Sequence, residues 1–389
     1  MGRRVVILVL DGVGAGGAPD AARFGDEGSN TLGNTARRVG GLKLPNLRAL
    51  GLGNVVEIEG IPPVSEPSAY YGLMQQRSAA KATLAGHWEM MGIALEAGLP
   101  TYPDGFPDSF VSRFEEETGR KVIGNRPASG TQIIEELGPE QEESKAWIVY
   151  TSADSVFQVA AHTGVIPLEE LYEACEKAHE ILIGEGEILV ERVIARPYHG
   201  ERGAYEREHE NRHDYGISPP YETYLNRIQK SGREVVAVGK IRDIFDGKGI
   251  THHLPGQPDD AAKVDAVLEA QAQVESGLIF ANLVDFDAKY GHRRDPEGMV
   301  ENLERFDARI PELLDTLASE DLLIITADHG NDPTYPGTDH TRERAPLLLV
   351  GGGKPHDLGV RDSFSDVGAT VVAWLGVARN GLPGENVLR

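Results

Sequence analysis

Three things are scarce in this chain of 389 residues: cysteine, positive charge and long apolar runs. Cys175 is its one cysteine, so no internal disulfide can form and no thiolate-rich zinc site can be built. It lies in the helix-like stretch LYEACEKAHEIL, where an inert thiol is a simpler reading than a nucleophile. Lysine and arginine number 38 against 61 aspartates and glutamates, a formal net charge of −23. With no cationic excess to neutralise phosphates, this composition argues against nucleic acid and anionic membrane as partners. The same acidity burdens any anionic substrate, whose site must reverse the local field with metal ions or clustered Arg and Lys. No segment approaches the length of a membrane span. The opening run Val5–Leu10 is cut by Asp11, too soon for a signal peptide, and the expected location is the cytoplasm.

What the chain does have is short buried runs that end on chemistry. Val5–Leu10 is continuously β-branched or aliphatic, as expected for a strand covered on both faces, and it ends on Asp11. Gly12, Gly14 and Gly17 match a dinucleotide-binding pattern in letters only. Pro19 spoils the helix that should follow, and no acidic residue closes a second strand at the expected distance. A second run, Leu278–Val284, leads into Asp285, Asp287 and, five residues later, His292. A third, Leu322–Thr326, leads into Asp328 and His329, with His340 returning on a Gly/Pro/Asp loop.

Between these runs the pattern alternates strand and helix, which predicts an α/β fold with a doubly wound, mostly parallel sheet. Helix patterns cover Phe110–Thr118, Leu168–Ile183, Asp259–Ser276 and Pro296–Leu317, and an apolar helix signal runs through the tail at 366–389. Strands are expected at Ala146–Tyr150, Glu187–Ile194, Glu234–Val238 and Pro346–Val350. The rigid crossing around Pro100–Pro107 and the return at Ser218-Pro219-Pro220 mark off 100–217 as an inserted α+β cap, with 1–99 and 218–389 forming the core.

Taken singly, each acid or imidazole has a plainer role; Asp328-His329-Gly330, for one, reads as a helix start with Asp as N-cap. Their repetition at strand ends changes the reading, because open α/β sheets place their active sites beyond the carboxyl ends of strands. Asp11, Asp287, His292, Asp328, His329 and His340 are enough for two divalent metals with mixed oxygen and nitrogen ligands, suited to Mn²⁺ or Zn²⁺. Two cations would also answer the charge problem and activate a hydroxyl. Thr83 sits where a helix could begin, and an anion carried there would meet free backbone N–H groups. On local evidence alone an ordinary Thr cap explains it as well.

The motifs Asp11-Gly-Val-Gly, Lys81-Ala-Thr-Leu-Ala-Gly-His-Trp-Glu, Val284-Asp-Phe-Asp with Tyr290-Gly-His-Arg-Arg-Asp, and Ala327-Asp-His-Gly-Asn-Asp with Thr338-Asp-His-Thr-Arg-Glu resemble the phosphopentomutases of the alkaline phosphatase superfamily. The resemblance runs nearly end to end and includes the insertion. It implies one Mn²⁺ held by Asp287, His292 and His340, another by Asp11, Asp328 and His329, and Thr83 as the phosphorylated residue. It also implies interconversion of α-D-ribose 1-phosphate and D-ribose 5-phosphate and of the 2-deoxy sugars, with glucose 1,6-bisphosphate or a similar sugar bisphosphate as activator. The implied partners are small sugar phosphates; the residues leave the oligomeric state open, a monomer included. One position departs from the family pattern: Ala82 stands where Asp commonly precedes the Thr.

A second phosphate needs its own clamp. Arg192 and Arg207, with Lys240 from the core and Asp154 for a sugar hydroxyl, are the expected residues, since Arg offers phosphate a planar fork of donors. The stretch 191–214 is equally rich in Glu and reads as well as solvated surface. Arg126, Ser129, Thr131 and Arg196 are lesser candidates. Rival functions are a cofactor-independent phosphoglycerate mutase, a metal-dependent phosphomonoesterase and, furthest off, a non-catalytic sugar-phosphate sensor.

Overall fold

A computed structural model describes residues 2–152, 155–184 and 190–388. The chain divides into two compact units, Met1–Ala97 with Pro219–Arg389, and Gly98–Ser218. The first unit opens with β1 (Arg4–Leu10) and β2 (Tyr70–Met74). The second carries β3 (Val122–Pro127), β4 (Trp147–Thr151), β5 (Val156–His162), β6 (Arg192–His199), β7 (Glu206–Arg207) and β8 (His213–Gly216). The first then resumes with β9 (Glu234–Val238), β10 (His252–Leu254), β11 (Gly277–Leu283), β12 (Leu322–Thr326), β13 (Ala345–Val350) and β14 (Asp357–Arg361).

The sheet of the first unit has eight strands in the order β10-β9-β11-β1-β12-β13-β2-β14. From β10 to β12 all neighbours run parallel, while β13 is antiparallel to both β12 and β2. β1 lies between β11 and β12, with Ile7 opposite Phe280 on one side and Ile324 on the other. Val5, Val6, Ile7, Leu8 and Val9 are all 0% exposed, which is why this stretch is continuously apolar instead of alternating. Since β11, β1 and β12 are adjacent and parallel, the residues that follow each strand emerge side by side.

The second unit has a mixed sheet in the order β3-β4-β5-β6-β7, with β8 also paired to β6. Ile133, Ile134, Ile148, Tyr150, Ala160 and Tyr198 form its packed core. Ile133 and Ile134 come from a helix over Gly130–Ser144 that the residue pattern did not predict. Gly138 and Pro139 in its middle read as breakers, but the burial of its apolar face decides the conformation. Two further differences are local. The strand expected at Glu187–Ile194 lies at Arg192–His199, and its first expected residues fall outside those described. The tail helix stops at Trp374, after which Gly376 turns left-handed (φ 67°) and ends the run. Among the described residues no helix is long and apolar enough to cross a membrane.

Ile7→Ala should cost about 2–5 kcal/mol of stability through the cavity it leaves in the centre of this sheet. Val360, 50% exposed on the edge strand, should change stability by no more than about 0.5 kcal/mol when replaced by Ala. Chemical unfolding of the two variants beside the native protein checks the contrast.

Candidate active site

Asp11 is the first residue beyond β1, and the chain must turn at once to keep its carboxylate at the strand end. Gly12 makes that turn with φ 74°, and a Cβ there would lie 3.0 Å from Asn331 Cβ and 3.3 Å from Asp287 Oδ1. Glycine is therefore required by conformation and by space. Beyond β11 the chain winds into a π-helical turn, Phe286–Gly291, in which the His292 N–H donates to the Asp287 carbonyl (2.9 Å). This wider turn sets the two side chains together, with His292 Nε2 3.2 Å from Asp287 Oδ2. Beyond β12, Asp328 and His329 are followed by a bridge between Gly330 and Thr341 that folds the loop back. The rings of His329 and His340 consequently stack with centroids 4.0 Å apart.

Two groups of side chains result, Asp11 with Asp328 and His329, and Asp287 with His329 and His340, each with ligand atoms within 4.8 Å of one another. His292 Nε2 lies 3.1 Å from His340 Nε2, beside the second group. Each imidazole is oriented in the same way. Nδ1 of His292, His329 and His340 faces a backbone carbonyl, of Thr338 (2.7 Å), Gly330 (3.0 Å) and Lys81 (2.9 Å) respectively. A carbonyl can only accept, so each Nδ1 carries a hydrogen and each Nε2 points inward, where loss of its own proton would leave a lone pair for a metal. Thr83 begins the helix Thr83–Met90, and its Oγ1 lies 3.0 Å from His329 Nε2 and 3.4 Å from Asp11 Oδ1. Gly86 lets that helix approach, since a Cβ there would come within 2.2 Å of the Asp328 carbonyl oxygen.

Electrostatics mark the place as a cation site. Burial pushes the Asp11 carboxyl above its ordinary range, and the neighbouring Asp328 pushes the same way. Burial opposes charge on Asp287 too, yet the imidazoles of His340 and His292 hold it well below the usual carboxylate range. His329 is also desolvated, but Asp328 and Asp11 raise it to about 10. Asp328 Oδ2 is buried, 3.2 Å from His87 Nδ1 and 3.3 Å from His329 Nε2. Buried carboxylate oxygens and inward-facing Nε2 atoms fit a divalent metal, which would take their lone pairs.

The loop before Thr83 is held without an acid at position 82. Arg342, 2% exposed, donates to the carbonyls of Gln76 (2.7 Å), Ser78 (2.8 Å) and Ala80 (3.0 Å) while pairing with Asp20 (3.0 Å). Lys81 adds ion pairs to Asp26 (3.0 Å) and Asp339 (3.1 Å). Asn331 donates to Asp287 Oδ1 (2.7 Å). Glu343, pushed up to about 7 by burial, accepts from Thr31 and Thr341 beneath the turn at Gly330. The sequence reading singled out none of Arg342, Asn331 and Glu343. Their signal was present: each lies two or three residues from a proposed ligand inside a quoted motif.

The remaining expected residues lie apart from this cluster in the chain. Lys240 is exposed at the start of the short helix Ile241–Ile244 in the first unit. In the second unit, Arg192, Arg196, Arg207 and Arg212 line one pocket together with Ser129, Tyr150 and Gln158. Arg207 Nε is buried there without a partner among the described residues, while Arg192 contacts Glu191 and Asp214. Ser129 and Thr131 share a hydrogen bond (3.1 Å), and Arg126 is paired with Glu136 on the surface. Asp154 lies outside the described residues.

Since His329 is raised to about 10, it carries a proton at neutral pH in metal-free protein, and a metal must expel that proton to bind. Metal affinity should therefore rise with pH up to about 10, with proton release visible by calorimetry in buffers of different ionisation heat. The sign for the metal-free fold is opposite. The imidazolium's contribution to stability is complete below its ordinary value of 6.5 and is lost as pH rises through about 10.

The family model for the metalloenzyme superfamily matches residues 3–379. A phosphopentomutase of Kosmotoga olearia is 52% identical over 376 residues, covering 96% of this chain and 96% of that one. A phosphopentomutase of Clostridium novyi is 52% identical over 370 residues, 95% and 94% of the two chains. Among solved structures, a phosphoglycerate mutase of Leishmania mexicana shares the fold with a TM-score of 0.52 at 13% identity, covering 99% of this chain and 97% of that one. Identity of this extent along the whole length places the chain in the phosphopentomutase family, within the metalloenzyme superfamily.

Proposed function

We propose that this chain interconverts α-D-ribose 1-phosphate and D-ribose 5-phosphate, and the 2-deoxyribose equivalents, by passing a phosphoryl group through Thr83. As a phosphopentomutase-family member it is an isomerase, a metal-dependent phosphotransferase; the proposal concerns how the transfer is made. The observation that carries it is the position of the Thr83 hydroxyl, within 3.4 Å of Asp11 and 3.0 Å of His329 at the edge of the clustered acids and imidazoles. Asp287, His292 and His340 would hold one Mn²⁺, and Asp11, Asp328 and His329 the other, a ligand mix that suits this ion. Such cations supply a lowered pKa at the threonine hydroxyl and neutralise charge on the phosphoryl group in transfer.

The chain's own residues do the rest. Thr83 starts as phosphothreonine, primed by glucose 1,6-bisphosphate or a similar sugar bisphosphate. Its phosphoryl group passes to the free hydroxyl of the entering monophosphate, whose proton ends on Thr83 Oγ. The resulting sugar bisphosphate returns its other phosphoryl group to Thr83 and leaves as the isomer. Gly86 and the Arg342 clamp keep that hydroxyl at the strand ends, so it need not be ordered at each turnover. Arg192, Arg207, Lys240 and Asp154 are assigned to the sugar and its second phosphate, and the second unit to a cap that keeps water from the phosphothreonine. Freely diffusing sugar phosphates suit a cytoplasmic enzyme.

Incubation with Mn²⁺, a trace of bisphosphate and ribose 1-phosphate should yield ribose 5-phosphate with little free phosphate. Release of phosphate alone would make the chain a phosphatase. Thr83→Ala should abolish transfer while leaving Mn²⁺ binding intact, and isomerisation by that variant would overturn the phosphothreonine route.

A further inference from the structure

The helix Thr83–Met90 carries His87 one turn beyond Thr83, and β11 carries Asn282 one residue before its end. Both side chains are 0% exposed, and neither has a part in the reaction described above. His87 Nδ1 lies 2.9 Å from the Thr83 carbonyl oxygen and 3.2 Å from Asp328 Oδ2. Both neighbours are acceptors, so Nδ1 carries the hydrogen. His87 Nε2 lies 3.2 Å from the amide nitrogen of Asn282, and accepts from it. The same amide nitrogen donates to Asp11 Oδ2 at 2.8 Å. Both hydrogens of the Asn282 amide are thus committed.

Asn282 Oδ1, in contrast, is buried with no partner among the described residues. A lone buried carbonyl is costly, so an asparagine kept for packing alone would not be expected to sit this way. Flipping the amide would aim Oδ1 at the Asp11 carboxylate and take away its donor. The demand of Asp11 for an N–H sets the orientation at the expense of the carbonyl. The ring of His87 is fixed from its other side by Phe280, stacked with centroids 5.8 Å apart.

We infer that Asn282 and His87 are positioning residues, an amide–imidazole bracket that orients Asp11 and Asp328 for one of the two metal ions and ties that pair to the backbone of Thr83. The bracket touches neither Asp287, His292 nor His340 in any of these contacts, so its effect belongs to one site alone. The inference rests on the two-metal reading, and its test separates the two.

Metal-free protein is titrated with Mn²⁺ by calorimetry, and native protein should show two sites. Asn282→Leu removes both donors at similar shape, and His87→Phe removes both ring nitrogens while keeping an aromatic ring beside Phe280. Each should weaken one site about 10–100-fold and leave the other unchanged. His87→Asn, whose amide nitrogen takes the place of Nδ1, should recover most of the loss. A packing role would rank Phe above Asn instead. Thermal melting of the metal-free variants reports folding, and if one fails to fold the other decides. Equal losses at both sites, or native affinity at both in a folded variant, would overturn the bracket. Native protein that takes up no Mn²⁺ would overturn the metal reading and the bracket together.

Discussion

Asp11, Asp287 and Asp328, none more than 5% exposed, emerge beside one another from three adjacent parallel strands, and their repulsion is the constraint that the rest of the molecule serves. Buried carboxylates cannot remain unpaired. In the chain by itself the counter-charges are imidazoles, which is why His292 and His329 are both held above their ordinary values. Divalent cations held by these side chains would take the place of those protons.

The acidity of the chain sharpens this. A protein of net charge −23 repels phosphate at long range, so any phosphate chemistry must be local and strongly cationic. In the first unit the means would be the acids and imidazoles that could hold metal ions. In the second it is a pocket with Arg192, Arg196, Arg207 and Arg212 along its wall, where burial and the neighbouring arginines depress the Arg196 guanidinium.

Much of this was legible in the residues because strand ends in an α/β sheet are legible. A continuous apolar run that stops on Asp announces both a buried strand and a group at its mouth, and Val5–Leu10, Leu278–Val284 and Leu322–Thr326 each did so. The mixed direction of β13 was not legible, since strand direction depends on connections and not on composition. The Gly130–Ser144 helix was hidden by Gly138 and Pro139, whose local preferences lose to the packing of Ile133 and Ile134 on the sheet. Asn282 escaped notice for a related reason. A single amide in GLIFANL looks like an imperfection in a buried strand until Asp11 is known to lie beside it. Arg342 was likewise concealed as one charge in an already charged motif, and only the loop carbonyls converging on it reveal its purpose. Arg192 and Arg207 stayed ambiguous in a run of alternating charges, because which charges face a pocket is a matter of tertiary structure.

The central claim is that these strand ends converge on a pair of cations next to one threonine hydroxyl. Anomalous diffraction at the manganese edge, from crystals soaked in Mn²⁺, addresses it directly. The account predicts two peaks, one bounded by Asp287, His292 and His340 and one by Asp11, Asp328 and His329, with Thr83 Oγ1 facing both. A single peak, or peaks on the acidic surface away from these side chains, would contradict it.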